Sequence, residues 1–432
     1  MSRNEQVLVL AQSAFIGLSA ALMVIAPRLI PLLIGVLAVS CLIADISLPG
    51  PARLHWRQLV GPVSVTAVLF AGYALSSARW ASNGALAVQS GLQVLALLGA
   101  AFYLSASLPH RLAGLDAASR RRYLRAVPLG VGIGLGFMFE EYLSSHRGMI
   151  VALEAFPGLA GVGRKGLIYS GNSIAAMYDY YINQNAAVLV LLSLPAVTAA
   201  ALWLGPRVAR PAIGAWLVVL ALVVFTSESE TAKLACITSL AAYLAARRWP
   251  TAAVTTVTVA FAAGLMLAPV LGRLPVAAGL DKAGWIPFSA RDRMMLWDTA
   301  ARTTMQSPMF GIGMQSTRFI KDGAAEQRGT TEASSPEGTA IPPRLGWHSH
   351  NAYLQSWLEL GAVGVLLLLV LGVGLIRSTA QGPGATRPAA LALAVAALTI
   401  AATGWGMWQP WLLAALVGAI VFHRIAETEA AA

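Results

Sequence analysis

Residues 352–375 read AYLQSWLELGAVGVLLLLVLGVGL, and the only charged side chain in this stretch is Glu359. Wound into an α-helix, 24 residues extend about 36 Å, whereas the hydrocarbon core of a bilayer is about 30 Å thick. The stretch therefore predicts a transmembrane helix. Apolar runs of similar length recur on both sides of it.

The composition of the chain agrees with repeated membrane crossing. Of its 432 residues, 57% are hydrophobic and only 11% are charged, with a mean hydropathy of +0.68. Soluble domains carry about 25% charged residues, so an assembly of soluble domains is excluded. Both cysteines, Cys41 and Cys236, lie in apolar runs, which excludes a disulfide framework. We therefore predict an all-α polytopic membrane protein, with residues 1–432 forming a single integral membrane domain.

About twelve spans are predicted by the length that a bilayer requires. They lie at residues 6–26, 29–47, 59–77, 86–107, 126–144, 185–204, 212–226, 231–246, 251–271, 352–375, 389–404 and 409–423. There is no GxxxxGK[ST] phosphate loop, which disfavours a nucleotide-driven pump. No convincing internal repeat is found either, which disfavours a secondary transporter.

The arginines indicate the orientation of the chain. The formal net charge is +11, from a basic set of 26 arginines and four lysines. Such a charge could suggest nucleic acid, but arginine also marks cytoplasmic loops, and we predict no nucleic-acid partner. With the N-terminus inside, fifteen basic residues lie in cytoplasmic loops and six in short outer loops. Both termini are therefore predicted to be cytoplasmic, with two larger outer loops at 145–184 and 272–350.

The longer outer loop contains one clear helix signal. In SARDRMMLWDTAARTTMQSP, Ser289 and Asp292 form a capping pattern, which predicts a helix over residues 290–306. Arg291 and Arg293 would lie in its first turn. They could form surface ion pairs with Asp292 or with Asp298, or they could hold a phosphate or pyrophosphate together with the free backbone N–H groups. The polar strip Thr330–Pro343 predicts a flexible segment.

The same loop ends in GWHSHNAYLQ, residues 346–355. His350 is a candidate general base, since a neutral imidazole accepts a proton near pH 7, although a histidine hydrogen-bonded at a helix start is equally open. Asn351 is a plausible N-cap of the following helix. Glu359 is a functional candidate because ionisable residues at membrane depth usually have a function. His348 and His350 alone do not complete a zinc site, so no metal and no other cofactor is predicted.

These residues carry a family resemblance. The string HNAYLQSWLELGAVG, residues 350–364, resembles the signature of the O-antigen ligase and polymerase superfamily, in which an outer-face His-Asn is followed by a helix containing E-x-G. The preceding SARDRMMLW, with P-x-x-G-x-G at Pro308–Gly313, resembles its arginine-bearing element. The resemblance covers roughly residues 170–420. One departure is FTSESETAKLA (225–235), which lacks the arginine that the family often has there. Lys233 could supply that charge, or it could simply pair with Glu230.

The resemblance implies a GT-C-like glycosyltransferase of the Gram-negative inner membrane with its active site in the periplasm. It would transfer O-antigen from undecaprenyl pyrophosphate to the lipid A-core oligosaccharide, without metal and with inversion. His350 would be the base, and Arg291 and Arg293 would stabilise the departing pyrophosphate. The expected substrate-binding residues are Arg147, Arg164, Lys165, Lys233, His348 and Asn351. Loop cations could instead contact membrane lipids.

Several alternatives remain open at this stage. Glu140 and Glu141, near the outer end of a span, could supply a catalytic carboxylate. An O-antigen polymerase would use the same donor with a second lipid-linked glycan as acceptor. A protein O-oligosaccharyltransferase would modify serine or threonine. A lipid or polysaccharide transporter belongs to a different class and would move its substrate without making a glycosidic bond.

Overall fold

A computed structural model of the chain describes residues 3–47, 60–156, 166–320 and 348–432. Within these ranges the helices are α1 Arg3–Ile25, α2 Ile30–Ser47, α3 Pro62–Ser76, α4 Gly84–Ala113, α5 Ala117–Leu143, α6 Arg147–Ala155, α7 Asn183–Thr226, α8 Glu230–Arg248, α9 Pro250–Met266, α10 Ala268–Leu271, α11 Leu274–Ala277, α12 Phe288–Thr304, α13 Ala352–Ser378, α14 Arg387–Thr403 and α15 Pro410–Ala431. Two strands, β1 Leu167–Ser170 and β2 Ser173–Met177, pair antiparallel. The predicted flexible strip Thr330–Pro343 lies outside the described residues.

Apart from this short hairpin, helices are the only regular secondary structure of the described residues, as expected of an all-α membrane protein. Seven helices of the described ranges are long and apolar enough to cross a bilayer, and an eighth span is obtained if α9 and the helices after it, bent by 69°, count as one. Large apolar side chains on these helices are exposed, among them Leu32 (64%) and Val218 (61%). Exposed apolar bands of this kind suit contact with lipid tails.

The count of twelve spans stays a prediction, although every predicted segment is helical. α3 and α14 have only 15 and 17 residues, shorter than the usual span. α7 has 44 residues but breaks at Gly205, whose φ is +71°, so it consists of two halves at about the predicted positions. α5 begins at Ala117 and α15 continues to Ala431, so both helices extend beyond the predicted spans, which mark only the apolar part of each helix.

The main hydrophobic core is formed by α1, α5, α7 and α15. α5 packs against both α1 and α7, and α15 packs against α7 and α4. Ile16, Met138, Leu189 and Phe422, one from each of the four helices, are completely buried. A second layer consists of α8 packed on α14, with α13 against α3 and α9. This arrangement brings the turn before α13 close to the end of α14.

The long loop folds back onto the bundle. Trp297 and Ala301 are four residues apart on α12 and so lie on one face of the helix. Ala301 and Trp297 pack against α10 and the start of α13, where Ala268 and Leu354 are buried. The helix itself begins two residues earlier than predicted, at Phe288. Its N-cap is Pro287, with no side-chain cap, so the predicted capping by Ser289 and Asp292 is wrong.

Candidate functional site

The two histidines stand in a strained turn just before α13. Asn351 caps the helix as predicted: its Oδ1 accepts hydrogen bonds from the backbone N–H groups of Tyr353 and Leu354, both at 3.0 Å. His350, immediately before the cap, has φ +53°, a left-handed conformation that is costly for a residue other than glycine. Ser349 is buried and donates its hydroxyl to the carbonyl of Asn351. The cap and this hydrogen bond hold the turn in its strained shape.

The turn sets the protonation pattern of His350. Its Nδ1 lies 2.8 Å from the carbonyl oxygen of Gly404, after the end of α14. A carbonyl can only accept, so Nδ1 carries the proton and Nε2 keeps a free lone pair. The rings of His348 and His350 meet edge to face with centroids 4.2 Å apart, and the backbone N–H of His350 donates to Nδ1 of His348. His350 therefore presents a basic nitrogen of defined orientation.

Burial keeps both imidazoles neutral. It lowers the pKa of His350 to about 4, with the positive charge of Arg293 acting in the same direction and the hydrogen bond to Gly404 opposing it. It also lowers the pKa of His348 to about 3, helped by the charges of His350, Arg318 and Arg293. A neutral His350 can accept a proton at pH 7 without first losing one.

Arg293 reaches the same place from α12. Its Nη1 donates to the carbonyl oxygen of Thr403 at 2.9 Å and lies 3.4 Å from the hydroxyl of Thr231, at the start of α8. Burial lowers the pKa of Arg293, and the negative charges of Asp292 and Glu230 partly offset that effect. The guanidinium thus joins three elements beside His350.

His350 and Arg293 line one cavity of about 280 Å³, which we call the histidine–arginine cavity. Arg28, in the turn between α1 and α2, supplies a second guanidinium. The remaining lining residues are mainly polar or aromatic: Tyr180, Tyr181, Asn183, Gln184, Ser229, Thr231, Gly404 and Trp405. A buried base and two cations around one cavity fit a reaction in which an anionic group leaves.

Arg291 does not belong to this cavity. It was expected to act with Arg293, but its guanidinium carbon lies 6.0 Å from the ring centre of Phe288, and it lines neither of the two cavities beside the histidine pair. Two residues apart on a helix, Arg291 and Arg293 point about 200° from each other. The expected pairing of either arginine with Asp298 is also absent, because Asp298 pairs with Arg302 at 2.8 Å.

The other predicted cations are placed as follows. Lys233 pairs with Glu230 at 2.9 Å, the simpler of the two interpretations, and does not line the histidine–arginine cavity. Arg147 is exposed at the start of α6 and lines neither cavity beside the histidines. Arg164 and Lys165 lie outside the described residues.

The two adjacent carboxylates are also away from His350. Glu141 is fully buried, and its Oε1 accepts a hydrogen bond from the backbone of Met149 at 2.8 Å. Glu140 is exposed beside it. Neither lines the histidine–arginine cavity. Among the residues that the structure describes, no group of three or more histidine, cysteine or acidic side chains could hold a metal ion.

Glu359 fixes the segment that follows α12. Its buried carboxylate accepts five hydrogen bonds: from the backbone of Gln315 and Thr317, the Thr317 hydroxyl, the Gln355 amide and the Trp408 indole. These five donors occupy the lone pairs of the carboxylate, so Glu359 acts as a positioning residue.

The glycines of the two sequence elements meet at the same point. α13 breaks at Gly361, where φ is +62°. A Cβ there would lie 2.5 Å from the carbonyl carbon of Met309, and a Cβ on Gly311 would lie 2.3 Å from that of Glu359. The break frees the carbonyl of Glu359 to accept from the backbone of Gly313. The P-x-x-G-x-G element (Pro308–Gly313) and the E-x-G element (Glu359–Gly361) therefore contact each other through their backbones.

Sequence reasoning missed three of the groups around His350. Arg28 is a single arginine in a three-residue turn. Thr231 follows the polar SESE segment that separates two predicted spans. Gly404 contributes only its backbone carbonyl. None of them belongs to a recognisable motif. Only Arg28 had a signal, as one of the six basic residues assigned to the short outer loops.

Comparison with known proteins agrees with this geometry. Residues 213–369 match the family model described as O-Antigen ligase. The match covers little more than a third of the chain. It contains Thr231, Arg293, His350 and Glu359, whereas seven of the eleven residues that line the histidine–arginine cavity, Arg28 and Gly404 among them, lie outside it.

Curated relatives from Rickettsia extend the similarity. Three carry the name "Putative polysaccharide ligase". The one from Rickettsia felis is 23% identical over 362 residues, covering 83% of this chain and 79% of the relative. The one from Rickettsia conorii is 25% identical over 138 residues, 32% of each chain, and the one from Rickettsia bellii is 25% identical over 166 residues, 38% of each. The matches to the Rickettsia conorii and Rickettsia bellii proteins thus span about a third of those relatives. Family and relatives together support a ligase-type function.

Proposed function

We propose that the protein is an O-antigen ligase of the Gram-negative inner membrane. It transfers O-antigen polysaccharide from undecaprenyl pyrophosphate to the lipid A-core oligosaccharide at the periplasmic face. The observation that carries the proposal is the pairing of His350 and Arg293 in one cavity, with Nδ1 of His350 committed to Gly404 and Nε2 left to accept a proton. The family assignment of residues 213–369 supports the same reaction class.

The reaction follows from the positions of these groups. The acceptor hydroxyl attacks the anomeric carbon of the donor while its proton passes to Nε2 of His350. The new C–O bond forms as the bond between the anomeric carbon and the pyrophosphate oxygen breaks, and the electron pair of that bond stays on the pyrophosphate. Arg293 and Arg28 stabilise the charge that develops there. Direct displacement inverts the anomeric centre.

The donor already contains the energy for transfer, because pyrophosphate is a good leaving group. No nucleotide is therefore needed outside the cytoplasm. The two guanidiniums take the place of the divalent cation that could otherwise neutralise the leaving group, so the proposed reaction is independent of metal. Lys233 pairs with Glu230 and is not assigned a role in the proposed reaction.

A reconstituted transfer assay tests the proposal. Purified protein in liposomes receives lipid-linked O-antigen, with or without lipid A-core, and the products are separated by size. We expect glycan on lipid A-core only when that acceptor is present. Longer chains on the lipid carrier without any acceptor would make the protein a polymerase, and glycan on a protein would make it an oligosaccharyltransferase. Movement of the donor across the bilayer without a new glycosidic bond would contradict an enzyme altogether.

A further inference from the structure

A second cavity, which we call the amide cavity, lies beside the other histidine of the pair, His348. Its volume is about 180 Å³, and His348 forms part of its wall, just as His350 forms part of the first. The polar groups around it are unusually uniform, with five glutamines and one arginine: Gln89, Gln93, Gln315, Gln355, Gln409 and Arg318. The two cavities therefore meet at rings whose centroids are 4.2 Å apart.

Part of this wall is fixed by hydrogen bonds. Gln315 donates from Nε2 to the hydroxyl of Ser90 at 2.8 Å and accepts from Arg318 at 2.7 Å. Gln355 accepts from the backbone of Met407 at 3.0 Å and donates to Glu359. The buried Glu359 also holds the backbone of Gln315, so these groups are oriented before any ligand arrives.

The part of the wall formed by α4 carries amides with unused hydrogen-bonding capacity. Gln89 and Gln93 are exposed, and within the described part of the chain no hydrogen bond involves their side chains. They lie four residues apart on α4, hence on one face of the helix. Their neighbours Val88 and Leu92 are exposed apolar residues on the adjoining face. An amide that faced lipid would lose its hydrogen bonds to water, so the cavity gives the two glutamines their polar surroundings.

These groups match the chemistry of a sugar ring. Each glutamine offers both a donor and an acceptor, as each sugar hydroxyl does. The cavity has no carboxylate in its lining, which disfavours a cationic ligand, and Arg318 tolerates a neutral or an acidic sugar. We propose that the amide cavity binds one sugar ring of a saccharide substrate next to the reacting centre. This inference rests on the proposed transfer reaction.

The position of the cavity favours the acceptor as the source of that ring. In an inverting displacement the nucleophile approaches opposite the leaving group. The pyrophosphate would lie in the cavity that holds Arg293 and Arg28, whereas the amide cavity is a separate space, lined by His348 and by none of the residues around the arginines. The terminal sugar of the acceptor would enter there and direct one hydroxyl towards the imidazoles.

The test uses the double variant Gln89→Leu/Gln93→Leu in the reconstituted full-length protein. Leucine keeps the size of the side chain and removes its hydrogen-bonding groups. Loss of two such groups predicts a rise of about tenfold in KM for lipid A-core, with kcat and the donor KM within about threefold of wild type. The matched control is Gln381→Leu, the same change at an exposed glutamine after α13, which should alter none of these constants.

The outcomes distinguish a ring of the acceptor from a ring of the donor glycan. They also distinguish failure of the sugar site from failure of the proposed transfer reaction. A rise in the donor KM alone would assign the ring to the donor glycan and still support a sugar site. Unchanged KM values for both substrates, in a preparation whose wild type is active, would overturn the sugar site and leave the proposed function standing. Binding of lipid A-core and of donor is also measured with each substrate alone, so the site is tested even if no transfer occurs. Equal affinity of the double variant and the wild type for both would overturn it.

Discussion

At the scale of single residues, the candidate site depends on the backbone of His350 as much as on its ring. The left-handed φ of +53° turns Nδ1 towards Gly404 and so decides which nitrogen is left to accept a proton. Asparagine tolerates this conformation better than alanine does. Replacing His350 by asparagine therefore removes the imidazole while keeping the left-handed backbone, so a loss of activity can be attributed to the ring.

We expect His350→Asn to lower kcat by about 100-fold or more, since a positioned general base usually contributes that much. Initial rates of glycan transfer by the reconstituted protein measure this. The control is His110→Ala at the end of α4, which should transfer at the wild-type rate. If His350→Asn keeps most of the activity in correctly folded protein, His350 is not the base.

The pH profile of kcat/KM tests the environment of His350. Burial first, and then Arg293, lower its pKa to about 4. A base works when deprotonated, so activity should persist as the pH falls through 6.5 and decline only as it approaches 4. Arg293→Gln removes a positive neighbour, so the pKa should rise and the acid limb of the residual activity should move to higher pH. Arg293→Lys, which keeps the charge, should leave the limb in place, and equal limbs in all three proteins would refute the coupling.

The guanidiniums of Arg293 and Arg28 predict that transfer needs no divalent cation. We expect the full rate in excess EDTA, because the two arginines supply the positive charge at the leaving group. The rate is measured with protein and substrates both depleted of metal. Loss of activity that a single divalent ion restores would show that this part of the mechanism is wrong.

At the scale of elements, two helices and the segment between them form one positioning unit. α12 brings Arg293 to the start of α8, and residues 308–319 then dock on the break in α13. The carboxylate of Glu359 fixes this docked segment by accepting five hydrogen bonds, which leave it no lone pair to accept a hydrogen bond from substrate. A charged residue at membrane depth was a functional candidate by sequence. Its contacts instead make Glu359 a positioning residue for the residues that line the amide cavity.

We expect Glu359→Gln to destabilise the protein by more than about 2 kcal/mol, because the amide nitrogen would face buried donors and leave some of them without an acceptor. Thermal unfolding followed by tryptophan fluorescence measures the change, and Trp408 is itself a partner of the carboxylate. Glu230→Gln is the matched control. It removes a partly exposed pair and should cost less than about 1 kcal/mol. A Glu359→Gln protein as stable as the wild type would mean that the five hydrogen bonds to the carboxylate do not stabilise the fold.

At the scale of the whole molecule, the open question is orientation. The arginine distribution predicts both termini inside, with the end of the bundle that carries His350 outside. Cysteine labelling in intact spheroplasts tests this in a background with Cys41→Ala and Cys236→Ala. Trp285→Cys, at a side chain 81% exposed before α12, should react with a membrane-impermeant maleimide. Arg248→Cys, at the exposed end of α8, should react only after lysis. The reverse pattern would invert the topology and place the site in the cytoplasm.

The sequence by itself determined the features that depend on residues close together in the chain. Runs of apolar residues predicted the helices, Asn351 predicted its own cap, and the spacing of His350, Glu359 and Gly361 carried the family resemblance, because each of these signals lies within a few turns of one element. Helix ends were less certain, since α5 and α15 continue as helix beyond the apolar residues that the bilayer selects.

Only the tertiary structure decided which of the candidate residues act together. Arg291 and Arg293 are equivalent by composition, but the rotation of α12 turns one into the cavity and the other out of it. Arg28 and Gly404 reach His350 from positions more than 320 residues before it and 54 residues after it. Contacts across such distances depend on how helices pack, and no local pattern of residues encodes them.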